Sequence, residues 1–218
     1  MAGVTKGLTA ATMVAGLLSV LAVGKLSAQP PPAWLLTGQD TAHYRLSRDE
    51  EVAHTGEASM RLAARGNRRN SQWAVSVQMV DATAYRGKRM RLRGYVRGEE
   101  VRSGGLWLRV DGIVNGNYAM LALDNAEDRR VEGTQDWAVQ DIVVDVAPES
   151  VTILFGAMIT GDGTVWVDEL SFEEVSPDVE LTSDSEPQIT DSPYSRPPGV
   201  FSVPANLDFE TVSSGRDQ

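Results

Sequence analysis

Six side chains in the middle of the chain have the chemistry of a ligand-binding platform. An aromatic ring can stack on the apolar face of a sugar, and a guanidinium group can hold a carboxylate or sulfate through paired hydrogen bonds. Because side chains two residues apart in a strand share a face, we expect these six to lie on one polar surface, if their two segments are neighbours. They are Arg91, Arg93, Tyr95, Arg97, Trp107 and Arg109. The pattern predicts a platform for an acidic glycan.

The same arginines have a simpler interpretation, which the sequence leaves open. Carboxylates on adjacent strands can pair with them across a solvated sheet face. The candidates for such pairing are Asp141, Asp145 and Glu99.

Catalytic chemistry has little support in the sequence. The histidines, His43 and His54, belong to no zinc-ligand motif or nucleophile elbow. Paired carboxylates can hydrolyse glycosides, but we interpret the acidic residues around 124–141 as turn formers and strand-edge charges. We therefore expect no catalytic residues and no required cofactor, with a stand-alone hydrolase as the less favoured alternative.

Alternation of apolar and polar residues predicts the elements that position these side chains. Met90, Leu92 and Val96 share one face of a predicted strand, and its arginines share the other. The segment 151–159 is apolar on both faces, which is typical of a central strand. The last strand, 165–172, is expected to place Trp166, Asp168, Leu170 and Phe172 on one face. The tryptophans at positions 34, 73, 137 and 166 are expected to be buried. Short strands at this spacing predict an all-β, antiparallel two-sheet β-sandwich.

Composition limits the compartment and the partners. The 218 residues carry a formal net charge of -10 and no cysteine, so disulfides and thiolate metal sites are excluded, and the charge disfavours nucleic acid as a partner. A lysine followed by an apolar run and by Leu26-Ser27-Ala28 predicts an export signal over residues 1–28. An uncleaved membrane anchor is the alternative; with cleavage, we expect a periplasmic or extracellular protein with no membrane contact.

The remaining chain divides by composition. Residues 29–33 are proline-rich and predicted to be disordered, and 34–175 form the sandwich. Residues 176–205 are rich in proline, serine and acidic residues, which predicts a disordered linker. Residues 206–218 begin with strand-like alternation. We interpret them as the start of a truncated second module or as a strand that folds back.

Several motifs between Trp34 and Val175 carry a family resemblance. They include Tyr85-Arg86-Gly87-Lys88-Arg89 entering a strand, Phe155-Gly156, and Gly163-Thr164-Val165-Trp166-Val167-Asp168. With these motifs the chain resembles exported bacterial galactose-binding-like sandwiches, which have a jelly-roll form related to carbohydrate-binding modules. Such domains occur alone or joined to peptidase, esterase-like or regulatory domains.

The resemblance implies a non-catalytic binding module, with a glycan ahead of a protein partner. The alternative is an accessory domain of a truncated or neighbouring hydrolase. The resemblance also implies that Asp168 could hold a structural calcium ion, since calcium prefers carboxylate and carbonyl oxygens. The alternative for Asp168 is a buried carboxylate bonded to backbone amides of the 56–59 turn.

Overall fold

The computed structural model describes residues 29–66, 72–183, 185–193, 195 and 197–212. The predicted signal segment, 1–28, lies outside the described residues. The ten strands are β1 Leu35–Gly38, β2 Tyr44–Asp49, β3 Ser59–Ala64, β4 Trp73–Asp81, β5 Lys88–Val114, β6 Asn117–Asp124, β7 Val131–Val146, β8 Ser150–Thr160, β9 Thr164–Val175 and β10 Gln188–Pro193. The described part of the chain contains two short 3-10 turns, Thr41–His43 and Thr83–Tyr85, and no α-helix. None of its helical segments could therefore cross a membrane.

The strands form two layers that share β5. Its first half pairs with β7 and β9, and β9 continues to β3 and β2; we call this layer sheet 1. Its second half pairs with β6 and β8, and β8 continues to β4 and β1, while β10 pairs with β6; this layer is sheet 2. All of these pairings are antiparallel, so the predicted two-sheet antiparallel sandwich is confirmed.

β5 changes sheets in a glycine-rich stretch between Gly98 and Gly104. Its pairing with β7 loses regular register there. A Cβ on Gly104 would lie 2.5 Å from a methyl of Val165 and 2.9 Å from the carbonyl oxygen of Met158. Only a residue without a side chain allows β5 to pass this closely between the layers.

The main core lies between the sheets and follows the predicted alternation of β5. Met90, Leu92 and Val96 enter it from sheet 1, and Leu106 and Leu108 enter it from sheet 2. Both sets are almost completely buried. The outward side chains of the two halves therefore belong to opposite faces of the sandwich.

The prediction for the last strand is wrong in one respect. Val167 and Leu170 both face the main core, although an odd spacing of three residues separates them. The reason is a bulge at Glu169, whose φ is +48°, where the pairing with β5 shifts register. Trp166 and Asp168 consequently lie on the outer side of sheet 1, and not with Leu170.

The C-terminal segment packs against the sandwich. Residues 188–193 of the predicted linker form β10, and Phe201 extends the edge of β4 through two backbone hydrogen bonds. Phe209 is 0% exposed in the main core, 5.5 Å from the ring of Trp34. The Trp34 indole donates to the carbonyl oxygen of Asn206. The described residues of the 206–218 segment thus fold back onto the sandwich.

Candidate binding groove

The outer face of sheet 2 has a flat aromatic floor made by Trp107. This residue lies on β5, opposite Gly156 of β8, yet its indole N–H donates to the carbonyl oxygen of Ser76 on β4 at 3.1 Å. Since adjacent strands lie about 4.8 Å apart, the ring must extend across β8 to reach β4. Trp107 is only 6% exposed, so it packs onto the sheet surface and does not project from it.

Gly156 and Ser76 create the space that the indole occupies. The β4–β8 ladder is interrupted between Val75 and Gln78, and the Ser76 hydroxyl takes over by accepting from the amide of Ala157 at 2.8 Å. The Ser76 carbonyl is thereby available to Trp107. A Cβ on Gly156 would lie 2.2 Å from that carbonyl oxygen, so this position excludes every side chain.

Apolar residues surround this floor and enclose a groove of about 640 Å3. Trp73 stands at the rim with 38% of its surface exposed. The other lining residues are Leu35, Leu36, Thr37, Val75, Val77, Met79, Trp107, Arg109, Met120, Leu123, Asn125, Leu154 and Met158. A volume of this size, with mostly apolar walls and a few polar groups, is typical of small-ligand sites.

Arg109 is the charged side chain that lines the groove. Its Nη2 donates to Asp111 at 2.8 Å, and Asp111 also accepts from the hydroxyl of Tyr118. The Nε atom of Arg109 is buried without a hydrogen-bond partner. The groove therefore contains a cation that Asp111 anchors.

The outer face of sheet 1 is built differently, because its arginines pair with carboxylates on neighbouring strands. Arg91 donates to Glu173 at 2.5 Å, and Arg93 forms a two-pronged contact with Asp141 at 2.6 and 2.5 Å. The hydrogen bond with Asp141, aided by charge attraction, raises the pKa of Arg93 above its usual value. The pairing of Arg93 with Asp141 is the one that the simpler interpretation named. Glu173 was not among its candidates, and Asp145 pairs with Arg89 instead.

Tyr95 and Arg97 also have partners on this face. The ring of Tyr95 stacks on His54 at 3.7 Å between centroids, and Trp137 contacts the same histidine edge-on. Arg97 lies over the ring of Trp166 at 5.5 Å. Their exposed surfaces are therefore reduced by contacts within the protein.

The structure divides the six predicted platform residues between two opposite faces. Arg91, Arg93, Tyr95 and Arg97 lie outside sheet 1, and only Trp107 and Arg109 reach the groove. The expectation of one continuous platform is wrong, because both segments belong to a single strand that changes sheets.

Sequence reasoning missed most of the groove. The expected burial is observed for Trp34 and Trp166, whereas Trp73 is exposed and Trp137 is partly exposed. The available signal was the apolar alternation of β4 beside the doubly apolar segment 151–159. Two adjacent strands with apolar outer faces indicate a surface that another group must cover.

Asp168 is held by backbone amides. Its Oδ2 accepts from His54 at 2.8 Å and Thr55 at 3.3 Å, and its Oδ1 accepts from Glu169 at 2.8 Å. Burial raises the pKa of Asp168, and these three amides oppose that shift. With N–H groups directed at both oxygens, the residues present do not fit a calcium ligand, and the described residues contain no cluster of three acidic or histidine side chains suited to a metal. Two of the donors, His54 and Thr55, come directly before the predicted 56–59 turn, and the third, Glu169, follows Asp168 on β9.

The two histidines each contact one carboxylate residue. His43 lies 2.7 Å from Asp40, and His54 lies 2.7 Å from Glu169. The Thr55 hydroxyl also donates to Glu169. The hydrogen bonds that Glu169 makes with Thr55 and His54 lower its pKa.

The strand pairing and the groove define a β-sandwich domain with an open, ligand-sized groove on one face. No family model matches the chain. It is 32% identical over 178 residues to YbfP of Bacillus subtilis strain 168, described as an uncharacterized HTH-type transcriptional regulator. The alignment covers 81% of this chain and 56% of that protein, so the chain spans little more than half the length of this curated relative.

Solved structures with a similar shape are distant in sequence. The CBM22-1 xylan-binding domain of Paenibacillus barcinonensis Xyn10C has 15% identity and a TM-score of 0.46, covering 68% of this chain and 90% of that domain. TmCBM61, solved with β-1,4-galactotriose, has 16% identity and a TM-score of 0.43, covering 67% and 91%. The active domain of bacteriophage CBA120 tailspike protein 4 has 13% identity and a TM-score of 0.49, covering 66% and 20%.

Proposed function

We propose that this chain is an exported, non-catalytic binding module that holds a glycan in the groove of sheet 2. The observation that carries the proposal is the apolar groove, which has the Trp107 indole at its base, fixed by its bond to Ser76, and Trp73 at its rim. Trp107 itself is buried and gives the groove a rigid base, whereas the exposed ring of Trp73 at the rim is the aromatic surface that a ligand can reach. The apolar C–H face of a sugar ring is complementary to that surface.

The openness of the groove favours a sugar over a wholly apolar ligand. Lining residues come from β1, β4, β8, β5 and β6 and from Asn125 just after β6, and two of them, Leu35 and Trp73, are exposed to solvent. A lipid chain bound there would keep one side in water, where hydrophobic burial contributes nothing. A sugar has one face that stacks and an edge of hydroxyls that stays hydrated or bonds to Thr37, Asn125 or Arg109.

Trp73→Ala tests the proposal at the rim. Because Trp73 is partly exposed, its removal should weaken binding without unfolding the domain. We expect an affinity loss of about ten-fold or more, the equivalent of about 1.4 kcal/mol, for those polysaccharides that wild type retards in affinity electrophoresis.

Trp137→Ala is the matched control, since Trp137 is a partly exposed tryptophan on the opposite face. It should leave binding unchanged. Equal losses from both substitutions, or no retardation of wild type by any glycan of a broad panel, would refute a glycan site in the groove.

The similarity to a longer regulator favours a second candidate, a ligand-sensing domain of such a protein. With a net charge of -10 and no α-helix among the described residues, this part would bind the signal and not the DNA. The two candidates differ in location. Fractionation of cells, with the mass of the mature N-terminus, distinguishes an exported protein cleaved after Ala28 from a cytoplasmic one.

A further inference from the structure

Arg130 contacts two residues that line the groove, and the terminal nitrogens of its guanidinium group make only long contacts. Its Nε donates to the carbonyl oxygen of Asn125 at 3.1 Å. The two terminal nitrogens have only long contacts, to Ser103 Oγ at 3.5 Å and to Met158 Sδ at 3.8 Å. Asn125 and Met158 both line the groove, so the guanidinium group borders the ligand site.

The charge of Arg130 is weakly compensated. Its nearest carboxylate belongs to Glu127, at 3.9 Å, and the Glu127 side chain is 78% exposed, whereas that of Arg130 is 19% exposed. The arginines of sheet 1 differ: Arg91 and Arg93 have carboxylates at 2.5 Å. A largely buried guanidinium group with a distant, solvated partner favours an incoming anion.

The register of sheet 2 places guanidinium groups on both sides of the Trp107 floor. Met158, which Arg130 contacts, pairs with Gly105, two residues before Trp107 on β5. Arg109 lies two residues after Trp107. Two residues of a strand span about 7 Å, so Trp107 occupies the middle of a short row with an arginine at each end.

We infer that the groove selects anionic glycans, with Arg130 binding the carboxylate or sulfate of a sugar held in the groove. This inference rests on the proposed glycan site and adds its ligand class. The planar fork of an arginine matches both anions through paired N–H donors. Arg109 is already neutralised by Asp111, so Arg130 provides most of the selectivity.

The test compares polymers that differ only in charge. Polygalacturonate fragments are compared with their carboxyl-reduced galactan, and dextran sulfate with dextran, by calorimetry on the full chain. We expect wild type to bind at least one anionic member about ten-fold more tightly than its neutral partner, as a charge-assisted hydrogen bond would give. The pair that shows the preference distinguishes carboxylate from sulfate.

Arg130→Gln should remove that preference, whereas Arg91→Gln, on the opposite face, should keep it. The inference would be overturned if wild type bound the charged and neutral polymers with equal affinity and Trp73→Ala weakened the binding of both. The proposed glycan site would stand in that case. Absence of any binding that depends on Trp73 would instead refute the glycan site itself. If Arg91→Gln lost the preference for the anionic polymer as fully as Arg130→Gln, the preference would come from general charge attraction, and the proposed role of Arg130 would be wrong. The wild-type comparison requires no variant, so the test holds even if Arg130→Gln fails to fold.

Discussion

The two halves of β5 have the same alternating pattern but support opposite kinds of surface. In sheet 1 the outward arginines meet Glu173 and Asp141 on the neighbouring strands. In sheet 2 the outward Trp107 meets Val75 and Leu154, and the result is an apolar groove. The difference lies in the adjacent strands, which decide whether an outward side chain is neutralised or left available to a ligand.

Trp107→Ala should have the largest effect on stability. Removing a buried tryptophan leaves a cavity on the sheet surface, and we expect a loss of about 3–5 kcal/mol in the free energy of unfolding, measured by urea titration. Trp73→Ala, at the exposed rim, should cost less than about 1 kcal/mol. If the two variants lose equal stability, Trp107 does not form a packed floor.

Gly156→Ala should have an intermediate effect, about 1–3 kcal/mol, because the added Cβ meets the Ser76 carbonyl and displaces β4. The mechanism is checked by a double-mutant cycle with Trp107→Phe, which removes the indole donor. Both changes act on the same carbonyl, so their costs should not be additive. Strict additivity would show that Gly156 and the indole are independent.

The ion pairs of sheet 1 should have the smallest effect. A double-mutant cycle with Arg93→Gln and Asp141→Asn should give a coupling of about 0.2–1 kcal/mol, because both side chains are solvent-exposed in part. The same cycle measured in 1 M salt should give a smaller coupling, because salt screens the attraction between the two charges. A coupling above about 2 kcal/mol would mean that this face is not an ordinary solvated surface.

Local sequence predicted the strands and the core well, because the alternation of residues such as Met90 and Leu92 depends only on the strand repeat. It predicted two members of the groove, Trp107 and Arg109. It could not predict which sheet each half of β5 joins, since that depends on backbone clearance at Gly104 and on pairing with distant strands.

The predicted face of Asp168 and the predicted burial of Trp73 were also wrong, and both depend on how distant strands pair. The bulge at Glu169 moved Asp168 off the face expected for it, and a single non-glycine residue with positive φ leaves no clear sequence signal. Trp73 is the first residue of β4 and lies just outside residues 74–77, which pair with β1. Both outcomes are set by tertiary pairing.

Phe209 has a consequence for the order in which this protein can fold during synthesis. It is the last buried aromatic side chain to be made, and it fills a place beside Trp34, near the first described residues. Until the chain has been made to about this point, the sandwich between Trp34 and Val175 lacks part of its interior. The core of the nascent protein is therefore incompletely packed until Phe209 is present. A break in the chain shortly before Asn206 would leave the Phe209 site as a solvent-exposed apolar cavity.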